Sequence, residues 1–230
     1  MIIKNIMWDV DGVLANLDHA YYRLLTEHPK FRDAYKGLEF SRLRDALPID
    51  PKFGSLELKT HPTLGKELDH EFCHNSGDIY FDRPLYPNVK EVLVELDRRG
   101  YFQLTMSAGF CAETKRKAIS DTLKGLDFIT IEVVEHAKDK CALGMIGEKE
   151  ARILECLNKY NLKPEETVLV DDRIFNSQTA LNVGMHAVRC RPGITTDTPP
   201  DLKAKLVAEV KNILEFRNWL LENTSMGEST

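Results

Sequence analysis

The sequence predicts an α/β fold, a parallel sheet of βαβ units interrupted near its start by a largely helical insert. Three observations predict it. Short apolar runs alternate with stretches of helical periodicity from Tyr86 to Arg189, the pattern of strands joined by crossover helices. Thr167-Val168-Leu169-Val170 is an unbroken apolar run halted by two aspartates, as a strand buried on both faces requires. Residues 16 to about 83 hold no convincing buried strand, only helical pieces broken by Pro29, Pro48, Pro51 and Pro62.

The first strand runs from Ile2 to Trp8 and is cut off from the others by the insert, in which Leu17, Tyr21, Leu24 and Leu25 share one helical stripe. Arg83-Pro84-Leu85-Tyr86-Pro87 reads as the return hinge. The expected division is a core of residues 1–15 plus 84–222, an insert of residues 16–83, and a frayed tail of residues 223–230. Beyond the hinge, Pro87 suits a first helical position; Val89, Val92, Leu93 and Leu96 follow at i, i+3, i+4 and i+7, and Gly100 closes the helix. Phe102 to Met106 is strand-like and stops at Ser107-Ala108-Gly109. A helix over Glu113 to Leu123 places Ala118, Ile119 and Leu123 on one face. Phe128 to Val134 is rich in β-branched residues and reads as a strand. A helix over Glu148 to Tyr160 leads to the Thr167 strand, a short helix from Ser177 to Val183 ends at Gly184, and His186 to Arg189 forms a further strand. After a Pro/Thr-rich loop from Arg191 to Pro200, Leu202, Leu206, Val210, Ile213 and Leu214 mark an amphipathic final helix.

Composition narrows the function classes. A chain of 230 residues with 43% hydrophobic and 29% charged residues is globular, neither disordered nor fibrous. Thirty-one Lys and Arg against 36 Asp and Glu give a formal charge of −5, which lacks the basic footprint of a nucleic-acid or polybasic membrane binder. No apolar stretch reaches bilayer length. The apolar start Met1 to Trp8 runs directly into Asp9 and Asp11, unlike a secretory leader. The five cysteines, Cys73, Cys111, Cys141, Cys156 and Cys190, are scattered without a C-x-x-C pair. They read as reduced thiols, and a cytoplasmic location is expected.

Ligands of a parallel α/β sheet gather outside the carboxyl ends of its strands, and the chemistry-bearing residues of this chain fall there. Asp9-Val10-Asp11-Gly12 follows the first strand. With a strand period of two, Asp9 and Asp11 leave on one side while Val10 points to the core, and Gly12 permits a tight turn. Two carboxylates about 4 Å apart repel by about 4 kcal/mol at an effective dielectric near 20, so the pair calls for a cation or a retained proton. Asp171-Asp172 follows the Thr167 strand in the same way, with Asn176 one helical turn beyond. If the two strands are neighbours, four carboxylates meet at one edge. Mg²⁺ bound by one or two of them plus a substrate phosphate is the cation that suits such a set.

Asp9-Val10-Asp11-Gly12-Val13-Leu14 resembles the first motif of the haloacid dehalogenase-like hydrolase superfamily. Leu104-Thr105-Met106-Ser107-Ala108-Gly109 resembles its second, and Val168-Leu169-Val170-Asp171-Asp172 with Asn176, Ala180 and Gly184-Met185 its fourth. The resemblance implies a doubly wound, Rossmann-like core in which the insert is a cap closing over the site. It implies Asp9 as nucleophile, Asp11 as general acid and then base, and Ser107 with the backbone of Ala108 and Gly109 as the phosphate cradle. Asp9, the Asp11 carbonyl and Asp172 would hold Mg²⁺, supported by Asp171 and Asn176. The third motif is a phosphate-binding lysine, for which Lys149 is the candidate, with Lys138 and Lys140 as competitors. Direct ligation by Asp171 stays open. Dehalogenases of this family lack an aspartate two positions after the nucleophile, so Asp11 favours a phosphatase acting on a small phosphorylated metabolite.

Three other readings compete. A phosphomutase uses the same two aspartates. His70-Glu71-Phe72-Cys73-His74 matches the H-E-x-x-H pattern of zinc peptidases, with Glu91 or Glu95 as a conceivable third ligand. A non-catalytic binding module is the third, against which the intact Asp9 and Asp11 argue. Arg42, Arg44, Lys52, Lys59 and Lys66 of the insert are expected to be a solvated face rather than substrate contacts.

Overall fold

The structure is a computed structural model, and it describes residues 1–72, 83–109, 112–135 and 142–225. Its centre is β1 (Asn5–Trp8), buried at every position. Along β1 the side chains alternate between two cores, as the strand period demands. Ile6 and Trp8 join one apolar cluster, and Met7 joins the other.

β1 is flanked by β4 (Phe102–Gly109) and β6 (Thr167–Asp171), and the six-stranded sheet has the order β5-β4-β1-β6-β7-β8. β5 spans Thr130–Glu135, β7 His186–Cys190 and β8 Ala208–Val210. Every pairing in it is parallel. Helices cover both faces, as buried parallel strands require. On one face α4 (Val89–Arg98), α5 (Ala112–Thr122) and α9 (Ile213–Asn223) pack around Trp8, Val168 and Val170. On the other, α6 (Ala142–Lys159) and α7 (Ile174–Asn182) pack around Met7, Leu104 and Leu169. The doubly wound sheet expected from the sequence is therefore present.

Between β1 and α4 lie α1 (Leu17–Glu27), α2 (Leu43–Ala46) and α3 (Gly65–His70). The apolar residues of this segment, among them Leu24, Leu25, Phe31, Leu43, Leu58 and Leu68, form a third cluster of their own. The chain leaves and re-enters the sheet side by side. The amide of Asn16 donates to the carbonyl of Pro84 at 2.9 Å, and that of Tyr86 to Leu14 at 2.9 Å.

Three sequence expectations need correction. The insert is not free of strands: β2 (Ile49–Asp50) and β3 (Ser55–Leu56) form an antiparallel hairpin. Its turn is made locally, with the Lys52 amide donating to the Asp50 carboxylate at 2.8 Å and Gly54 at φ +74°. The final helix over Leu202 to Leu214 is three elements instead: α8 (Pro200–Lys203), the edge strand β8, and α9. Residues 206–210 suit either period, and pairing of Val188 with Ala208 and Cys190 with Val210 decides for a strand. The start of α9 was written in the sequence, since Asn212 accepts the Glu215 amide at 3.0 Å while the Glu215 carboxylate accepts the Lys211 amide. β4 continues through Ser107-Ala108-Gly109, paired with Val133 to Glu135 of β5. In the tail, the Ser225 amide is bonded to the Met1 carbonyl; residues 226–230 lie outside the described residues.

The sheet carries buried charged groups as well. Glu132 on β5 is buried and accepts from Arg152 at 2.5 Å, Lys159 at 2.7 Å and Tyr160 at 2.5 Å. Burial alone would raise its pKa, but Lys159, Tyr160 and Arg152 outweigh it and bring it from 4.5 down to about 2. A depressed carboxyl stabilises the fold above its unfolded pKa, and that contribution is lost as pH falls through the folded value. Melting temperature should therefore drop steeply between about pH 4.5 and 2. Glu132→Gln should flatten that drop and cost about 2 kcal/mol at pH 7.

Candidate active site

Adjacency of β1 and β6 sets the site. Trp8 pairs with Val170, and the Asp9 amide donates to the Val170 carbonyl at 2.9 Å. The residues that follow the two strands consequently meet. Carboxylate oxygens of Asp9, Asp171 and Asp172 lie within 4.8 Å of one another, and all three side chains are buried.

Their surroundings separate the three. Both oxygens of Asp171 are occupied: Asn176 Nδ2 reaches each at 2.9 Å, the Arg173 amide donates to Oδ1 at 2.9 Å, and Lys149 Nζ donates to Oδ2 at 2.7 Å. Lys149 also reaches Asp9 Oδ1 at 3.3 Å. Asp172 Oδ1 is buried without a hydrogen-bond partner among the described residues. Burial, then the charge of Asp171, pushes Asp172 well above the usual carboxylate range, and the same two causes raise Asp9. An all-oxygen set with an unpaired buried acceptor and mutually repelling charges fits a hard divalent cation. Lys149 is held above the ordinary lysine range: burial opposes its charge, but Asp171 and Asp9 outweigh it.

A model of the haloacid dehalogenase-like hydrolase family matches residues 3–184. The chain belongs to this family. Solved structures agree on the fold. A haloacid dehalogenase-like hydrolase from Streptococcus pneumoniae is 16% identical over 94% of this chain and 98% of its own, with a TM-score of 0.64. A protein named as a predicted phosphatase, from Clostridium acetobutylicum, is 14% identical over 96% and 100%, with a TM-score of 0.64. The L-2-haloacid dehalogenase of Xanthobacter autotrophicus is 15% identical over 97% and 100%, with a TM-score of 0.63. Among curated proteins none matches the chain in sequence.

Within this hydrolase, Asp11 stands beside the cluster and is held by two cations. Arg83 pairs with its Oδ1, and Lys115 Nζ donates to Oδ2 at 2.6 Å and also to the Ala108 carbonyl. The sequence points to neither Lys115 nor Arg83 as a site residue. Lys115 carries a legible signal, because it shares the buried stripe of α5 with Ala118 and Ile119, and a lysine there breaks the apolar face. Burial, then Arg83, lowers Lys115 to about 7. Arg83 lies in the return hinge, where proximity to Asp11 depends on how the chain re-enters the sheet.

Ser107 on β4 is buried, and its Oγ has no hydrogen-bond partner among the described residues. Gly12 is a steric necessity: its φ is +87°, and a Cβ there would sit 2.7 Å from Asp172 Oδ2. Gly12→Ala should cost about 2 kcal/mol for the left-handed backbone. It should also drive Asp172 from its place, so that turnover falls more than about tenfold while the protein still melts cooperatively.

Cys73 and His74 of the H-E-x-x-H pattern, and the competitor lysines Lys138 and Lys140, lie outside the described residues. Glu71 of that pattern is paired with Lys30 at 2.9 Å, and His70 ends α3. Among the described residues, no helix is long and apolar enough to cross a membrane.

Proposed function

We propose that this hydrolase is a Mg²⁺-dependent phosphomonoesterase acting on a small phosphorylated metabolite through an aspartyl-phosphate on Asp9. The observation that carries this reading is the buried group Asp9, Asp171 and Asp172 beside Lys149, with Asp172 Oδ1 unpaired. The metal would be held by Asp9, Asp172 and the backbone carbonyl of Asp11, with Asp171, fully engaged by Asn176 and Lys149, as their support. When bound, Mg²⁺ neutralises the charge of a phosphoryl group and of the carboxylates around it.

The chain's own groups do the rest. An Asp9 oxygen attacks phosphorus as the ester P–O bond breaks, and the leaving oxygen takes a proton from Asp11. Water then attacks the acyl phosphate, giving its proton to Asp11 and freeing Asp9. Lys149 and the Ser107 hydroxyl supply a charge and a hydrogen bond to the phosphoryl oxygens. The ion pairs of Asp11 with Arg83 and Lys115 favour the carboxylate, the form needed for the water step. For the first step Asp11 has to carry a proton taken from solvent, so one of the two cations has to turn from it to the incoming phosphoryl dianion. An alkoxide leaves only with a proton whereas a halide needs none, so the presence of Asp11 supports ester cleavage over dehalogenation.

In this reading residues 16–83 are a cap on a core of residues 1–15 and 84–222, excluding water while Asp9 is phosphorylated. The acidic composition supports an enzyme of metabolites without nucleic-acid or membrane partners, and the scattered cysteines without a C-x-x-C pair support a cytoplasmic location. The test is a screen of phosphorylated metabolites for phosphate release, with Mg²⁺ and with Zn²⁺. Release that needs Mg²⁺ supports the reading. Transfer of the phosphoryl group to a second hydroxyl of a hexose phosphate would replace it by a mutase, and turnover of peptides with Zn²⁺ would overturn it.

A further inference from the structure

Arg189 is an arginine in the interior of β7 with no exposed surface. Taking a guanidinium out of water costs several kcal/mol unless its donors are well satisfied. Here each arm has a different acceptor, and none of the three is a carboxylate. Nε donates to the backbone carbonyl of Asp172 at 3.0 Å, Nη1 to Thr198 Oγ1 at 2.7 Å, and Nη2 to the carbonyl of Gly54 at 3.3 Å. An apolar residue would fill the same place in the strand without that desolvation. What an apolar residue could not do is bridge those three segments.

The bridged segments are the loop carrying the metal-ligand candidate Asp172, the turn of the β2–β3 hairpin, and the loop after β7. The hairpin turn is seated on the Asp172 loop by further contacts. The Ile174 amide donates to the Phe53 carbonyl at 3.0 Å, Arg173 pairs with Glu57 at 2.5 Å, and the Arg173 guanidinium lies 5.0 Å from the Phe53 ring centre. The Thr196 amide shares the Gly54 carbonyl with Arg189, at 2.9 Å. The fit is close: a Cβ on Gly54 would come within 2.8 Å of Arg189 Nη2 and 2.6 Å of Ile174 Cδ1.

We propose that Arg189 is a positioning residue that fixes the backbone at Asp172 and couples its orientation to the seating of the insert's hairpin. The inference rests on the reading that Asp172 holds a divalent cation. Arg189 touches neither metal nor substrate. It holds the peptide group of Asp172, so that the buried carboxylate stays within reach of Asp9, while another arm of the same guanidinium holds Gly54.

The test is titration of the full-length protein with Mn²⁺, followed by electron paramagnetic resonance, which reads metal binding without turnover. Arg189→Met should bind Mn²⁺ about 10- to 100-fold more weakly than wild type, the range seen when a group supporting a metal ligand is removed. Arg191→Met removes a neighbouring arginine that bonds Thr195, Glu209 and Asp197 instead, and should bind within about twofold of wild type, as a residue outside the ligand's support should. If Arg189→Met does not fold, Arg189→Lys decides: it keeps the charge but cannot span three acceptors, and should show the same loss. Wild-type affinity in a folded Arg189→Met or Arg189→Lys protein overturns the proposal, as does an equal loss in Arg191→Met. Absence of Mn²⁺ binding by the wild type overturns the metal reading itself, and the role of Arg189 falls with it.

Discussion

Asp9→Asn is expected to reduce phosphate release by at least about 10⁴-fold, the scale seen when a covalent nucleophile is removed from an enzyme whose groups act as a unit. The amide is nearly isosteric and can keep the hydrogen bond from Lys149, so the substitution removes nucleophilicity and charge, not shape. Stability should move the opposite way. Burial and the charge of Asp171 already make an ionised Asp9 costly, so the metal-free variant should melt at or above the wild-type temperature. Loss of turnover together with an unchanged or higher melting temperature assigns the defect to chemistry. Retained turnover would remove Asp9 from the role of nucleophile.

Asp11→Asn should separate the proton-transfer role from every other contribution. General acid catalysis is worth about 10²- to 10⁴-fold, and it is needed only where the leaving oxygen is basic. Turnover of an alkyl phosphate should therefore fall by that amount, while an aryl phosphate with an acidic leaving phenol should lose far less. The ratio of the two rates is taken within one variant, so a change in folded fraction cancels. That control matters because Arg83 and Lys115 both lose their charged partner, and unpairing buried charges costs about 3 kcal/mol or more. Equal losses on both substrates would assign Asp11 a purely structural role.

Much of this architecture could be read from residues alone. The alternation of apolar runs and helical stripes specifies a parallel sheet, because a strand buried on both faces can contain little that is polar. The same logic makes the halting aspartates stand out: Asp9 and Asp171 end runs that are otherwise apolar, and a strand end is where a buried sheet first meets ligand or solvent. Gly12 was legible as a turn, but its second duty, leaving room for Asp172, needed the neighbouring strand to be placed. The errors have a common origin. The 206–210 segment satisfies helical and strand periods equally, and the hairpin at Ile49–Leu56 is too short for any period to register.

By itself the sequence determined the alternation of strands and helices in the core from β1 to β7, the buried faces of those elements, and the aspartates that close the two central strands. These follow from local periodicity and from the free energy of burying apolar side chains. Only the tertiary structure decided that Lys115 and Arg83 grip Asp11, that Asp171 is saturated while Asp172 keeps a free oxygen, and that Arg189 reaches from β7 to Gly54. Apart from the bonds of Arg173 and Asn176 to Asp171, these are contacts between residues far apart in the chain. Charges and hydrogen bonds act over a few ångströms of space, a distance on which separation along the sequence carries no information.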